Sequence, residues 1–283
     1  MNRIVRALAV LAIAILAPTA PAMAQDSIEV TDPALLADIE QAETRGRLLW
    51  LYDQAAWHAT DALMAKIEPT TIKNPRGYVV VPGESDGVLE TIFITEQAGQ
   101  LRELARFSVR GSEVIGGGLV EGDLPPLGSV AARMFGVRQP ALDAMAAENY
   151  TLCSRSQPNT LILPPDEQGN VSFYLLTSTV ENGSYPIGGH YRVDVAADGS
   201  VARKRRYMNT CFDLPTALQR GPNGSPGHAG VSYLFGDAPS EIHVFASFHF
   251  ENGFMVIAQS SRKMWLVKDG EITLVQEDVR SPE

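Results

Sequence analysis

Residues 189–208 read GHYRVDVAADGSVARKRRYM, two runs of alternating side chains joined across Asp198-Gly199. Asp-Gly between β-type runs signals a hairpin, because a type I′ turn needs positive φ at both central residues. A two-residue turn sets Ala197 opposite Ser200, Asp194 opposite Arg203, Arg192 opposite Arg205 and His190 opposite Tyr207. Opposed residues share a face. One face then carries His190, Arg192, Asp194, Arg203, Arg205 and Tyr207, and the other carries Tyr191, Val193, Val195, Ala202, Lys204 and Arg206.

The same signature recurs along the chain. Runs at 241–250 and 254–260 flank Asn252-Gly253, and runs at 264–267 and 272–275 flank Asp269-Gly270. Residues 101–110 and 113–115 flank Gly111-Ser112, while 78–81, 160–163 and 171–180 are further β runs. Antiparallel meanders are therefore expected rather than a doubly wound parallel sheet.

Ahead of these runs the period changes. Thr31-Asp32-Pro33 is a helix start, with Asp32 placed to cap and Pro33 at the first helical position. Leu35, Ile39, Ala42, Leu49, Tyr52, Ala56, Leu63 and Ile67 then recur at three- and four-residue steps, an amphipathic stripe. Gly46 lies inside it and predicts a bend. Shorter helices are expected at 129–135 and 140–148. The class is α+β: a helical segment over 32–68 packed on a β-rich core over 77–277, in one domain covering 25–283.

Residues 1–24 read as a secretory signal. Arg3 and Arg6 precede an apolar run of 11 residues, Ala7 to Ala17, and Ala22-Met23-Ala24 is a small-x-small cleavage site. The run is shorter than the ~20 residues a spanning helix needs, so no transmembrane anchor is expected in the mature chain. Removing both arginines takes the formal charge from −10 to −12. A periplasmic or secreted location follows. In an oxidising compartment the two cysteines, Cys153 and Cys211, are expected to pair.

Composition excludes several classes. With 45% hydrophobic and 20% charged residues the chain is globular, and its acidic balance argues against a nucleic-acid partner. There is no Gly-x-Ser-x-Gly elbow and no His-Glu-x-x-His helix. Ser260-Ser261-Arg262-Lys263 matches Ser-x-x-Lys, but it lies between β runs rather than at a helix start. Gly116-Gly117-Gly118 has no helix after it and so is no phosphate cradle. His243 and His249, on one straight strand, would stand ~20 Å apart, too far to share one ion. Neither a metal nor a cofactor is expected.

What remains is the arginine face of the 189–208 hairpin. Arg192 opposite Arg205 is an unfavourable like-charge pair unless an anion compensates it. Guanidinium forks suit carboxylate and phosphate. The leading expectation is thus a non-catalytic module binding an anionic small molecule or envelope component through His190, Arg192, Arg203, Arg205 and Tyr207. Two other readings stand beside it. One is a hydrolase with a site drawn from His58, His190, His228 or His243 and distant carboxylates. The other is an interaction protein that offers its N-terminal helix to a partner.

Overall fold

The structure, a computed structural model, describes residues 27–179, 181–218 and 227–279. Residues 1–24, expected from the sequence to be a secretory signal, lie outside the described residues, as do residues 219–226.

Helix α1 runs over Pro33–Met64 and opens as its sequence dictates. The Asp32 carboxylate accepts from the backbone N–H of Ala34 at 2.9 Å, and Pro33 needs no hydrogen-bond partner of its own. Its inward face buries Leu49, Tyr52, Ala55, Ala56, Ala59 and Leu63. Full burial of a side chain such as Leu49 or Leu63 contributes about 1.5–3 kcal/mol.

Gly46 does not split the helix; α1 is continuous through it. Gly46 is where helix α4 (Glu241–Ser247) crosses α1. A Cβ at that position would stand 2.4 Å from the Val244 Cβ and 2.8 Å from the Glu241 carbonyl oxygen. The glycine serves a close helix–helix approach, a reason that local helix propensity does not contain.

Strands β1 (Pro75–Pro82), β2 (Val88–Gln97), β3 (Gln100–Arg110) and β4 (Glu113–Leu119) form an antiparallel sheet in sequence order under α1. Helices α2 (Ser129–Gly136) and α3 (Arg138–Ala147) follow. A second antiparallel sheet has the order β5-β6-β8-β9, built from Asn159–Leu163, Val171–Leu176, Tyr191–Val195 and Val201–Arg206. Short strands β7 (Ser184–Pro186) and β10 (Asp213–Pro215) pair with each other. The last sheet has the order β11-β12-β13-β14, from Ala229–Tyr233, Phe254–Ala258, Lys263–Lys268 and Glu271–Gln276. The buried apolar residues of the helices and sheets join in one cluster. An N-terminal helix on antiparallel sheets with one disulfide is the α+β class read from the sequence.

Two expectations are corrected. Residues 241–250 are not a strand: 241–247 is helix α4, and β12 pairs parallel with β11 and antiparallel with β13. Asn252-Gly253 therefore leads out of α4 into β12 instead of closing a hairpin. All seven residues of α4 are buried, so it shows no polar face and no 3.6-residue period, and reads like a buried strand. The second correction concerns the hairpin tip. The Ala196 N–H bonds to the Ser200 carbonyl and the Gly199 N–H to the Ala196 carbonyl, which makes a three-residue loop with Gly199 at φ +85°. A bulge between Asp194 and Val195 absorbs the extra residue. Below it the register is the expected one, Asp194 opposite Arg203 and Arg192 opposite Arg205.

Candidate functional site

Two cross-strand rows lie side by side on one face of the second sheet. The first is Ser172, Asp194 and Arg203; the second is Tyr174, Arg192 and Arg205, on β6, β8 and β9 in turn. Helix α1 reaches over them with Arg45, and α4 with Glu241.

Glu241 is the hub. Its Oε1 accepts from Arg192 Nη1 at 2.5 Å, from the Tyr207 hydroxyl at 2.5 Å and from the Tyr174 hydroxyl at 3.4 Å. Its Oε2 accepts from Arg205 Nη1 at 3.2 Å. Arg205 also donates to the Tyr233 hydroxyl at 3.2 Å. Arg192 Nη2 donates to Asp194 at 2.9 Å, and the Ser172 hydroxyl donates to the other Asp194 oxygen at 2.7 Å. Arg45 closes the lattice through Ser172 at 2.6 Å and Tyr174 at 3.3 Å. The anion demanded by the Arg192–Arg205 pair is thus supplied within the chain, largely by a helix that the sequence pattern disguises.

Electrostatics follow from this geometry. Burial alone would raise the Glu241 pKa, but Arg205, Arg192 and the Tyr207 hydroxyl outweigh it and hold the carboxyl at about 2. Burial, reinforced by the Glu241 charge, pushes the Tyr207 phenol well above its ordinary value. Burial opposes the charge on Arg192, yet the surrounding phenols and carboxylates raise its pKa overall. No group at the hub titrates near neutrality.

The five residues expected to bind an anion take different positions. Arg192, Arg205 and Tyr207 converge on Glu241, with Arg192 and Tyr207 buried and Arg205 partly open to solvent. Arg203 is exposed and, among the described residues, has no ion-pair or hydrogen-bond partner. His190 is buried and engaged with backbone: its Nε2 donates to the Pro186 carbonyl at 2.8 Å, and its Nδ1 accepts from the Thr177 N–H at 3.2 Å. Burial depresses its pKa to about 4 despite the Pro186 bond, so the ring is neutral at pH 7. On the opposite face of β9, Lys204 pairs with Glu148, and Arg206 lies 5.0 Å over the Tyr150 ring.

Arg45, Ser172, Tyr174, Tyr233 and Glu241 were not singled out from sequence. For Glu241 a signal existed: Pro239-Ser240-Glu241 is a helix start, with Ser at the N-cap and an acid in the first turn.

The other histidines are scattered. His243 Nδ1 accepts from the Ser240 N–H at 3.0 Å, and burial lowers its pKa to about 3. His249 stacks on Tyr185 at 4.4 Å, His58 stacks on the exposed Trp57 at 4.9 Å, and His228 Nδ1 is buried without a partner among the described residues. Among the described residues no three His, Cys, Asp or Glu side chains converge as metal ligands would. Cys153 and Cys211 are bonded, their Cα atoms 5.3 Å apart, which ties the segment before β5 to the segment after β9.

Comparison with known families, curated proteins and solved structures finds no match to this chain. Its chemistry is therefore read from the lattice. That lattice meets solvent at a cleft of about 100 Å³ between α1 and residues 235–240, with Arg205 and Glu241 on its wall. A neighbouring groove along α1 is lined by the half-buried Arg45 together with Glu40.

Proposed function

We propose that the chain is an exported, non-catalytic module that binds a small anion, or an envelope component presenting one, at the solvent edge of this lattice. One observation carries the reading: among the described residues, the four guanidiniums of this face, Arg45, Arg192, Arg203 and Arg205, have two carboxylates, Asp194 and Glu241, as hydrogen-bond or ion-pair partners, and Arg203 pairs with neither. Arg192 and Arg205 consume those carboxylates. Arg45 is hydrogen-bonded to hydroxyls and shares its groove with Glu40, whereas Arg203 is unpaired among the described residues, so one positive charge is left over at the surface. Guanidiniums in that state suit a phosphate or carboxylate. Binding is favoured over acid–base catalysis because the hub carboxyl and phenol are held far from neutral pKa values. Export rests on the Arg3/Arg6, apolar-run and Ala22-Met23-Ala24 pattern, and the disulfide suits an oxidising compartment.

The test is calorimetric titration with inorganic phosphate and with acetate. Saturable binding is expected in the wild type, and Arg203→Gln, an exposed change that leaves the core intact, should weaken it several-fold. Unchanged affinity in Arg203→Gln combined with Arg45→Gln, with the circular dichroism spectrum retained, would overturn the reading.

A further inference from the structure

A second cleft, of about 380 Å³, lies between α1 and the turns of the first sheet. Its wall is Leu48, Leu51 and Tyr52 of α1, the β1–β2 turn from Pro82 to Leu89, Gly111 between β3 and β4, and Pro164 after β5. That volume falls within the roughly 300–1,000 Å³ of small-molecule sites. Leucines and prolines make its apolar part, and Leu51 is left 45% exposed there. Tyr52 is only 1% exposed, yet its hydroxyl has no hydrogen-bond partner among the described residues. A buried phenol ordinarily finds one. The hydroxyl is not sealed from solvent, so it opens into the cleft that its residue lines. Burial pushes its pKa up, which keeps the proton in place for donation. No Lys, Arg or His side chain lines the cleft, whereas Glu84 and Asp86 do, both exposed and without a partner among the described residues. Glu84 also borders the groove on the other side of the turn, beside Arg106 and Arg110; Asp86 does not.

We propose that this cleft binds a small amine whose apolar body lies on Leu48, Leu51 and Leu89, whose hydrogen-bonding group meets the Tyr52 hydroxyl, and whose ammonium stands at Asp86. The unpartnered phenol is what points to a ligand. It surrenders only water to bond one, since no group of the chain has to be released. The apolar wall sets the body of the ligand, because covering Leu51 removes apolar surface from water. The acids set its sign: an anion would enter against Glu84 and Asp86, and an ammonium is drawn to them. The site is separate from the arginine lattice and stands or falls without the anion reading.

The experiment is calorimetric titration of the full mature protein with tyramine, which carries a phenol and an ammonium at opposite ends of an apolar body. Phenethylamine lacks the phenol hydroxyl, and tyrosol replaces the ammonium by a neutral hydroxyl. Tyramine is expected to saturate, with phenethylamine about three- to tenfold weaker, the scale of one hydrogen bond. Tyrosol should be weaker by about two- to fivefold, the scale of one exposed charge contact. Tyr52→Phe keeps the ring and removes a hydroxyl that bonds nothing in the chain. The urea midpoint should therefore stay in place while the preference for tyramine over phenethylamine disappears. Asp86→Asn, a surface change, should close the gap between tyramine and tyrosol. Leu51→Ser, at a half-exposed position, should weaken all three ligands together. A tyramine titration that does not saturate at millimolar concentration overturns the inference, as does a tyramine preference unmoved by Tyr52→Phe or affinities unmoved by Leu51→Ser. Tyrosol that binds as tightly as tyramine overturns the assignment of an amine.

Discussion

Glu241→Gln removes one negative charge and almost no volume, and the structure sets the size of the effect. The carboxylate is buried and holds Arg192, Arg205 and Tyr207. A carboxyl whose pKa falls from 4.5 to about 2 on folding contributes about 3 kcal/mol at neutral pH. Breaking a buried ion pair by losing one partner costs about 3–5 kcal/mol on general grounds, so the two routes agree. Because the folded-state pKa is the lower one, this contribution is complete above pH ~4.5 and fades as the pH falls toward 2; at pH 3 roughly 1.4 kcal/mol of it remains. Urea unfolding of wild type and Glu241→Gln at pH 7 and pH 3 would check both points. The expected gap is about 3 kcal/mol at pH 7, with the m-value unchanged, and about 2 kcal/mol smaller at pH 3. A gap under about 1 kcal/mol at pH 7, or one independent of pH, would refute the view that Glu241 is the charge that balances the arginine pair.

Other expectations concern the scaffold. Gly46→Ala improves helix propensity by ~1 kcal/mol yet should destabilise by about 1–3 kcal/mol net, because its Cβ would stand 2.4 Å from Val244; urea midpoints decide the sign. Reducing Cys153–Cys211 should cost about 2–5 kcal/mol, and alkylation without reductant should modify no thiol by mass spectrometry. On the proposed export, cleavage after Ala24 should leave a chain that begins at Gln25, which intact mass would verify.

The sequence made the hairpin rows legible because a strand's period is two and Asp198-Gly199 marks its reversal; even an error in loop length left the lower register intact, since the bulge compensated. It also exposed a debt of negative charge between Arg192 and Arg205. It did not show who settles it, because Glu241 lies 36 residues from Arg205 and 49 from Arg192, on a helix without an exposed face. Gly46 failed for a related reason. A glycine within a helical pattern can mark a break or a close approach, and only the position of Val244 distinguishes the two.

The internal settlement of that charge decides what kind of binding the lattice can support. A ligand cannot displace Glu241 from Arg192, since the tethered carboxylate is already in place and already desolvated. Only the outer guanidiniums are left, and they are partly or fully hydrated, where a single charge contact is worth about 0.2–1 kcal/mol. Affinity at this edge must then come from several modest contacts acting together. With a screening length of ~8 Å at physiological ionic strength, such contacts weaken steeply as salt rises. Phosphate binding that persists unchanged in about 1 M salt would therefore place the ligand somewhere other than the Arg203 edge.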